Sequence, residues 1–269
     1  MAGLIRTYGN EPYRAAVIHG GPGAPGSVAC IARELSKTLG VIEPIQSRYS
    51  VSELIEELCE RLQSVTQEPL ALIGHSWGAW LAFLFAAEHP RLVQRLVLIG
   101  SGPFEDGYVP QITERRLTRL SPEEAEQFRE LLAVLEQSDG SKKDDAMNRL
   151  ADLLEKSDNV DPLTIETDEL DFLPVDGKMY ASVWSEAAAM RCDGRLVAAL
   201  KKLACPVHVL HGDNDPHPVE GVVEPLRECH VGFTCHVLKN SGHSPFRERQ
   251  AFLEFYRTLM KILQDGSGS

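Results

Sequence analysis

The chain predicts an open α/β fold, a mostly parallel, doubly wound sheet interrupted by a block of helices. Three observations carry this. Short apolar runs alternate with helical stretches on both sides of a long interruption, the pattern of strands joined by crossover helices. Gly74-His75-Ser76-Trp77-Gly78 falls where one apolar run ends and a helix begins. The stretch 102–194 shows helical spacing but no strand signal. A length of 269 residues suits one large domain with an insertion. We place its core at 1–101 and 195–265 and a helical cap at 102–194. The closing Gly266-Ser267-Gly268-Ser269 reads as an expression-tag remnant.

Residues 15–19 (AAVIH) read as the first strand, running into Gly20-Gly21-Pro22-Gly23, where backbone can approach another group closely. No Gly-Lys-Ser/Thr follows, which removes the phosphate-loop reading. Residues 28–39 have helical spacing with Gly40 as a stop, and 41–46 suit a strand. Ser50-Val51-Ser52-Glu53 is a capping box opening a helix with Leu54, Ile55, Leu58 and Leu62 on one face. Residues 69–74 form a buried strand, 77–88 a helix apolar almost all round, and 92–99 contain the next strand. In the helical block, Ser121-Pro122-Glu123-Glu124 is a second capping box with proline at the first helical position. Further helices are expected at 141–156 and 179–190. After the block come a strand at 206–211, a short helix at 218–227, a strand at 233–238 and an amphipathic helix at 248–264.

Hydrophobic residues make up 43% of the chain and charged residues 25%, the balance of a soluble protein with a sizeable core. No window approaches a membrane span, and the first residues carry no long apolar region of an export signal. Six cysteines without a C-x-x-C pair argue against a zinc ribbon or redox dithiol. With no export signal, they lead to the expectation of reduced thiols and a cytoplasmic location. A formal charge of −12 disfavours nucleic acid and anionic membrane as partners. The whole imbalance lies between 102 and 194, which hold 22 acidic residues against 10 basic ones. These acids read as solvated outer faces of amphipathic helices, with selection of a cationic group such as a free α-amine as the alternative.

A serine hydroxyl needs an adjacent base, itself oriented by a carboxylate, to act as a nucleophile. Ser76, Asp215 and His243 each follow a predicted strand, and in a parallel sheet the loops after strands share one edge. Their chain order is Ser, Asp, His. Strand, tight turn and helix around Ser76 lift its hydroxyl clear and leave the Trp77 amide free at a helix N-terminus. The Gly21 amide, on a second loop at that edge, is a candidate partner of Trp77 in an oxyanion hole.

His19 to Gly23 as HGGPG, Gly74 to Gly78 as GHSWG, Gly212-Asp213-Asn214-Asp215-Pro216 and Ser241-Gly242-His243 together resemble the α/β-hydrolase superfamily. HGGPG with tryptophan after the serine is similar in particular to proline iminopeptidases and their relatives. The resemblance covers most of the chain outside the helical block. It implies Ser76 as nucleophile, Asp215 as orienting acid, His243 as general base, and the Gly21 and Trp77 amides as the oxyanion hole, with no cofactor or metal. With only residues 1–14 ahead of the first predicted strand, the family's two leading antiparallel strands are expected to be shortened or missing.

Asp213 competes with Asp215; the resemblance favours Asp215 and leaves Asp213 as a solvated or loop-bonding residue. His19 and His75 read as loop organisers. His217 and Glu220 with His211 match no metal-ligand spacing and read as the start of a helix. Cys229 and Cys235 read as buried small apolar residues. Trp80, Trp184, Tyr180 and Met190 suit either an acyl pocket or packing. The expected function is a serine hydrolase cleaving a small carboxylic ester or amide through an acyl-enzyme. A proline-iminopeptidase-like aminopeptidase on short peptides is its rival. A small-molecule binding or sensor protein with little turnover is the alternative from another class.

Overall fold

The computed structural model describes residues 5–23, 25–137, 141–164 and 176–264, with side chains left aside at 136–144. The Gly-Ser tail at 266–269 and part of the expected cap lie outside the described residues. Among the described residues, seven strands form one sheet: β1 (Ile5–Tyr8), β2 (Tyr13–Ile18), β3 (Gly40–Pro44), β4 (Leu70–His75), β5 (Val93–Ile99), β6 (Val207–Gly212) and β7 (Phe233–Leu238). Their spatial order is β1-β3-β2-β4-β5-β6-β7. Every pairing is parallel except β1 with β3, which is antiparallel. One leading antiparallel strand is therefore present ahead of the strand expected to be first, only four residues long.

Alternate residues of the central strands face opposite ways, as the pleat requires. Ala16, Ile18, Leu70, Leu72, Leu96 and Leu98 enter one core. It is covered by α2 (Val51–Gln63), α3 (Trp77–Glu88), α8 (Arg195–Leu200) and α9 (Glu220–Glu228). Ala15, Val17, Ala71, Ile73, Val97 and Ile99 enter the other, under α1 (Ala29–Leu35) and α10 (Phe252–Gln264). Because α3 is wedged deep in the first core, Trp77 through Ala86 are all buried, which accounts for its apolar circumference. Cys235 is exposed and Cys229 only half-buried, against the expectation for both. Cys235 lies on β7, an edge strand with one neighbour and a largely exposed burial pattern.

Between β5 and β6 the described chain carries helices α4 (Val109–Leu117), α5 (Pro122–Gln137), α6 (Ser141–Asp158) and α7 (Gly177–Cys192), followed by α8. α4 was not expected; its polar face, with Glu114, Arg115 and Arg116 in sequence, masks the period. The capping box at Ser121 is complete, with Glu124 N–H donating to Ser121 Oγ (3.2 Å) and Ser121 N–H to the Glu124 carboxylate (2.9 Å). At Ser50 only half forms. Glu53 N–H donates to Ser50 Oγ, while the Val51 amide donates to Glu186 of α7 at 2.7 Å. Leu120, Phe128, Leu131, Leu135, Leu150 and Leu153 give α5 and α6 a small core of their own.

The strand order places β2 between β3 and β4, so the crossover from β2 runs to one side of it and the next, from β3 to β4, returns past it to the other. Such a switch point opens a crevice at the carboxyl ends of the strands. Ile18 of β2 pairs with Gly74 of β4, which sets the HGGPG loop beside the loop carrying Ser76.

Candidate active site

The turn after β4 requires both glycines of its motif. A Cβ at Gly74 would run into the Gly78 carbonyl, and one at Gly78 into the carbonyls of Ile18 and His19. Pressed between them, Ser76 takes φ 55° and ψ −120°, outside the regions a side chain normally allows. Strain of this kind costs about 1–3 kcal/mol and survives only where surrounding packing enforces it. Ser76 is half-buried and begins α3 as its N-cap without using its hydroxyl as a cap. Trp77 is the first residue of α3, so its amide belongs to the turn of N–H groups a helix leaves without internal partners. Gly20 backs directly onto Ser76, where a Cβ would lie 3.1 Å from the serine Cβ. Gly21 follows with φ 60°.

A buried chain of hydrogen bonds ties the HGGPG loop to α3. His19 Nδ1–H donates to the Gly20 carbonyl (3.0 Å), and the Gln46 amide N–H reaches His19 Nε2 (3.4 Å). Gln46 Nε2 donates to the His19 carbonyl (3.2 Å), and Trp77 Nε1 donates to Gln46 Oε1 (2.8 Å). Burial pulls the His19 imidazole down to about 4, which leaves Nε2 as an acceptor. His19 thus organises the loop as expected. Gln46 is its missed partner, since a glutamine at the end of a strand carries no sequence signal.

After β6 and β7, at the same carboxyl edge of the sheet, Asp215 and His243 meet. His243 Nδ1–H donates to Asp215 Oδ2 at 2.9 Å, and the Asp215 side chain is fully buried. Asp213 does not compete: its carboxylate accepts from the Ser241 amide (3.2 Å) and Asn214 Nδ2 (2.7 Å), holding the loop. Burial raises the Asp215 carboxyl, but the imidazoles of His243, His211 and His217 outweigh it and hold the group well below the carboxylate range. Burial lowers His243, yet the charge and hydrogen bond of Asp215, with Asp158 beyond, raise it overall.

His75 joins the two halves of the site. Its Nε2–H donates to the His243 carbonyl (3.1 Å), and its ring lies 4.8 Å from that of His243 and edge-on to Phe246 at 5.0 Å. Gly100 permits this closeness, because a Cβ there would meet the His243 carbonyl and crowd its Nδ1 and Asp215 Oδ2. Burial and the neighbouring His243 drive His75 down to about 3, so it is a neutral structural imidazole.

His217 does not start a helix, since α9 begins at Glu220. Its ring instead stacks on His243 at 4.4 Å and donates through Nδ1 to Asp215 Oδ1 at 2.8 Å. Asp215, His217 and His243 thereby hold three possible metal-ligand atoms within 4.8 Å of one another. The two N–H···O bonds already account for that proximity, and we read the trio as a hydrogen-bonded cluster.

From the helical side, Arg116 of α4 forms a two-pronged bond with Asp158 (2.7 and 2.7 Å), and the Asp158 carbonyl accepts the His243 amide at 2.7 Å. Arg115 and Arg119 reach the carbonyls of Asp215 and Asn214. Glu248, expected in the last helix, precedes α10 and is fully buried. Its carboxylate accepts the amides of Val160 (2.8 Å), Asp161 (2.7 Å) and Gly242 (2.9 Å), binding the exit of α6 to the loop of His243. Glu248→Leu would leave three amides without an acceptor and is expected to cost about 3–6 kcal/mol. Urea unfolding checks this: a midpoint close to wild type would mean that water replaces the carboxylate. Trp80 stacks on Trp184 (5.9 Å), and Trp184 on Tyr180 (6.1 Å), a packed ladder between α3 and α7.

A sheet that is parallel but for β1, with a strained serine after β4 and an Asp–His pair after β6 and β7, defines a class of fold and site. The chain belongs to the alpha/beta hydrolase family, whose model matches residues 18–255. It is 32% identical over 104 residues to a 2-hydroxymuconate semialdehyde hydrolase of Pseudomonas putida, a match covering 34% of this chain and 37% of that protein. The matches span between about a fifth and somewhat over a third of the curated relatives. The crystal structure of VinJ superposes with a TM-score of 0.67 at 18% identity, covering 97% of this chain and 94% of that one. An enol-lactonase from Burkholderia xenovorans LB400 gives 0.60 at 18% identity, covering 96% and 95%. Likeness at such identity establishes the fold. Among the described residues, no helix is long and apolar enough to cross a membrane.

Proposed function

We propose that this protein is a serine hydrolase cleaving a small carboxylic ester or amide through an acyl-enzyme on Ser76. The observation that carries the reading is the buried His243–Asp215 bond at the same sheet edge as the strained Ser76 turn. With Nδ1–H committed to Asp215, Nε2 of His243 is the free base. It takes the Ser76 proton as the hydroxyl attacks the carbonyl carbon and returns that proton to the leaving group. Water, activated by the same nitrogen, then releases the acid. The amides of Trp77 and Gly21 receive the oxyanion, each donor worth about 3–4 kcal/mol in the transition state. The bond behind the ring, to Asp215, is formed; the one in front is the path by which Nε2 takes the proton of Ser76 Oγ. Helices α4–α7 act as a cap over this edge.

An ester or neutral amide fits better than an N-terminal peptide residue. Among the described residues, three carboxylates of the helical block are already committed: Asp158 to Arg116, Glu186 to the Val51 amide, and Asp176 to Tyr49 and the Met179 amide. Aminopeptidase action, suggested by the HGGPG and GHSWG motifs, needs an acid left to receive the amine. The test is a fluorophosphonate probe followed by peptide mass mapping. One adduct on Ser76 is expected, with turnover of p-nitrophenyl esters exceeding that of aminoacyl anilides. Well-folded protein that stays unlabelled would overturn the proposal and leave the binding-protein reading.

A further inference from the structure

Asp215 accepts hydrogen bonds from two imidazoles, with the His211 ring 3.5 Å from Oδ2 beside them, and the mechanism above uses one. Oδ2 accepts from His243 Nδ1 at 2.9 Å. Oδ1 accepts twice from His217, from the backbone N–H at 2.9 Å and from ring Nδ1–H at 2.8 Å. The two rings lie nearly face to face, 4.4 Å apart and 30° from parallel. His217 is itself fixed from behind, because His211 Nε2–H donates to its carbonyl at 2.8 Å. His211 and His217 are both buried, so neither bond is made with solvent at hand.

We infer that His217 is a positioning residue for the base, clamping the plane of the Asp215 carboxylate and drawing part of its charge away from His243. This rests on the Ser76–His243–Asp215 reading and deepens it. With His243 on Oδ2 and the backbone amide alone on Oδ1, each oxygen has one donor and the carboxylate can rock about its Cβ–Cγ bond; the ring Nδ1–H gives Oδ1 a second donor and narrows that motion. The same donor spreads the negative charge over both oxygens, which weakens the hold of Oδ2 on an imidazolium at His243. His217 fills this role only while its ring is neutral, since a second cation would repel the first across the stack. Burial ensures that, pulling His217 down to about 4 against the opposing charge of Asp215.

The other groups facing His243 are Asp158 with its partner Arg116, and His75. Asp158 and Arg116 form one mutually neutralising pair, and His75 is held neutral, so the charge that His217 modulates is that of Asp215. Facing His217 are the same Arg116 and Asp158, besides His211 and His243.

The test is the rate of fluorophosphonate labelling at Ser76 across pH, which needs no natural substrate. In His217→Phe the stacked ring stays and the Nδ1 donor is lost. Removing the donor concentrates charge on Oδ2 and stabilises the His243 imidazolium, so the acid limb should move to higher pH by about half to one unit. The plateau should fall about 3–10-fold as the carboxylate loosens. His217→Asn places an amide N–H near the Nδ1 position and should restore the limb to within about 0.2 units of wild type. His217→Leu is the second donor-free variant should the Phe protein not fold. An unmoved limb in the donor-free variants, or an Asn variant behaving like Phe, would overturn the inference while leaving the hydrolase reading intact. NMR titration of the His243 ring separates the two claims from the other side. Should the wild-type protein never label, a His243 ring that titrates higher in His217→Phe than in wild type would retain the coupling and discard the hydrolase.

Discussion

Ser76→Ala is expected to abolish labelling and lower ester turnover on the order of a millionfold in kcat, the scale on which loss of an activated serine falls. The amides of Trp77 and Gly21, proposed above as the oxyanion donors, are left in place, so residual turnover above the water rate should remain. The variant should bind substrate with a nearly unchanged KM and melt within a few degrees of wild type. Alanine does not escape the φ of 55° imposed by Gly74 and Gly78, so the strain stays. Ser76→Gly escapes it. That variant should be equally inactive yet more stable by about 1 kcal/mol, the strain released less the flexibility glycine adds to the unfolded chain. Steady-state kinetics with a p-nitrophenyl ester and a thermal melt check both halves. Turnover reduced less than about tenfold would place the nucleophile elsewhere.

Asp215→Asn is expected to reduce kcat by about 10⁴-fold, and the local geometry says why. The backbone N–H of His217 cannot change its polarity, so the single oxygen of an asparagine must stay on that side. Its NH₂ group then faces His243 Nδ1, in place of Oδ2. Facing a donor, the ring must carry its proton on Nε2, the nitrogen that has to accept from Ser76. The labelling rate should fall in step with kcat, while KM changes little. A drop below about tenfold would mean that another carboxylate orients His243, and Asp158 would be the first to examine, since its carbonyl already holds the His243 amide.

Much of the candidate site is legible in the sequence. Gly74, Ser76 and Gly78 announce their turn because only small residues tolerate it, and strand and helix flank them as contiguous patterns. Asp215 and His243 sit just after apolar runs, and a parallel sheet sends all such loops to one edge. The groups that hold them in place left no comparable trace. Gln46, Glu248, Arg116 and Asp158 are polar residues whose partners lie 27, 88, 42 and 42 positions away in the chain. A buried glutamate that satisfies three amides, as Glu248 does, looks in sequence like the acid of a helix's first turn.

The sequence alone determined the alternation of strands and helices, the sheet edge that gathers the candidate site, and which side chains follow the strands there. Those are consequences of local rules: the two-residue and 3.6-residue periods, the conformational freedom of glycine, and the handedness of crossovers. Only the tertiary structure decided which aspartate meets His243, that His217 turns away from a helix to share it, and that α4 lays arginines over the loop between them. These outcomes depend on which buried polar groups can find partners when distant segments close together. No local pattern encodes that, because the cost of leaving such a group unpaired is felt only once the chain is folded around it.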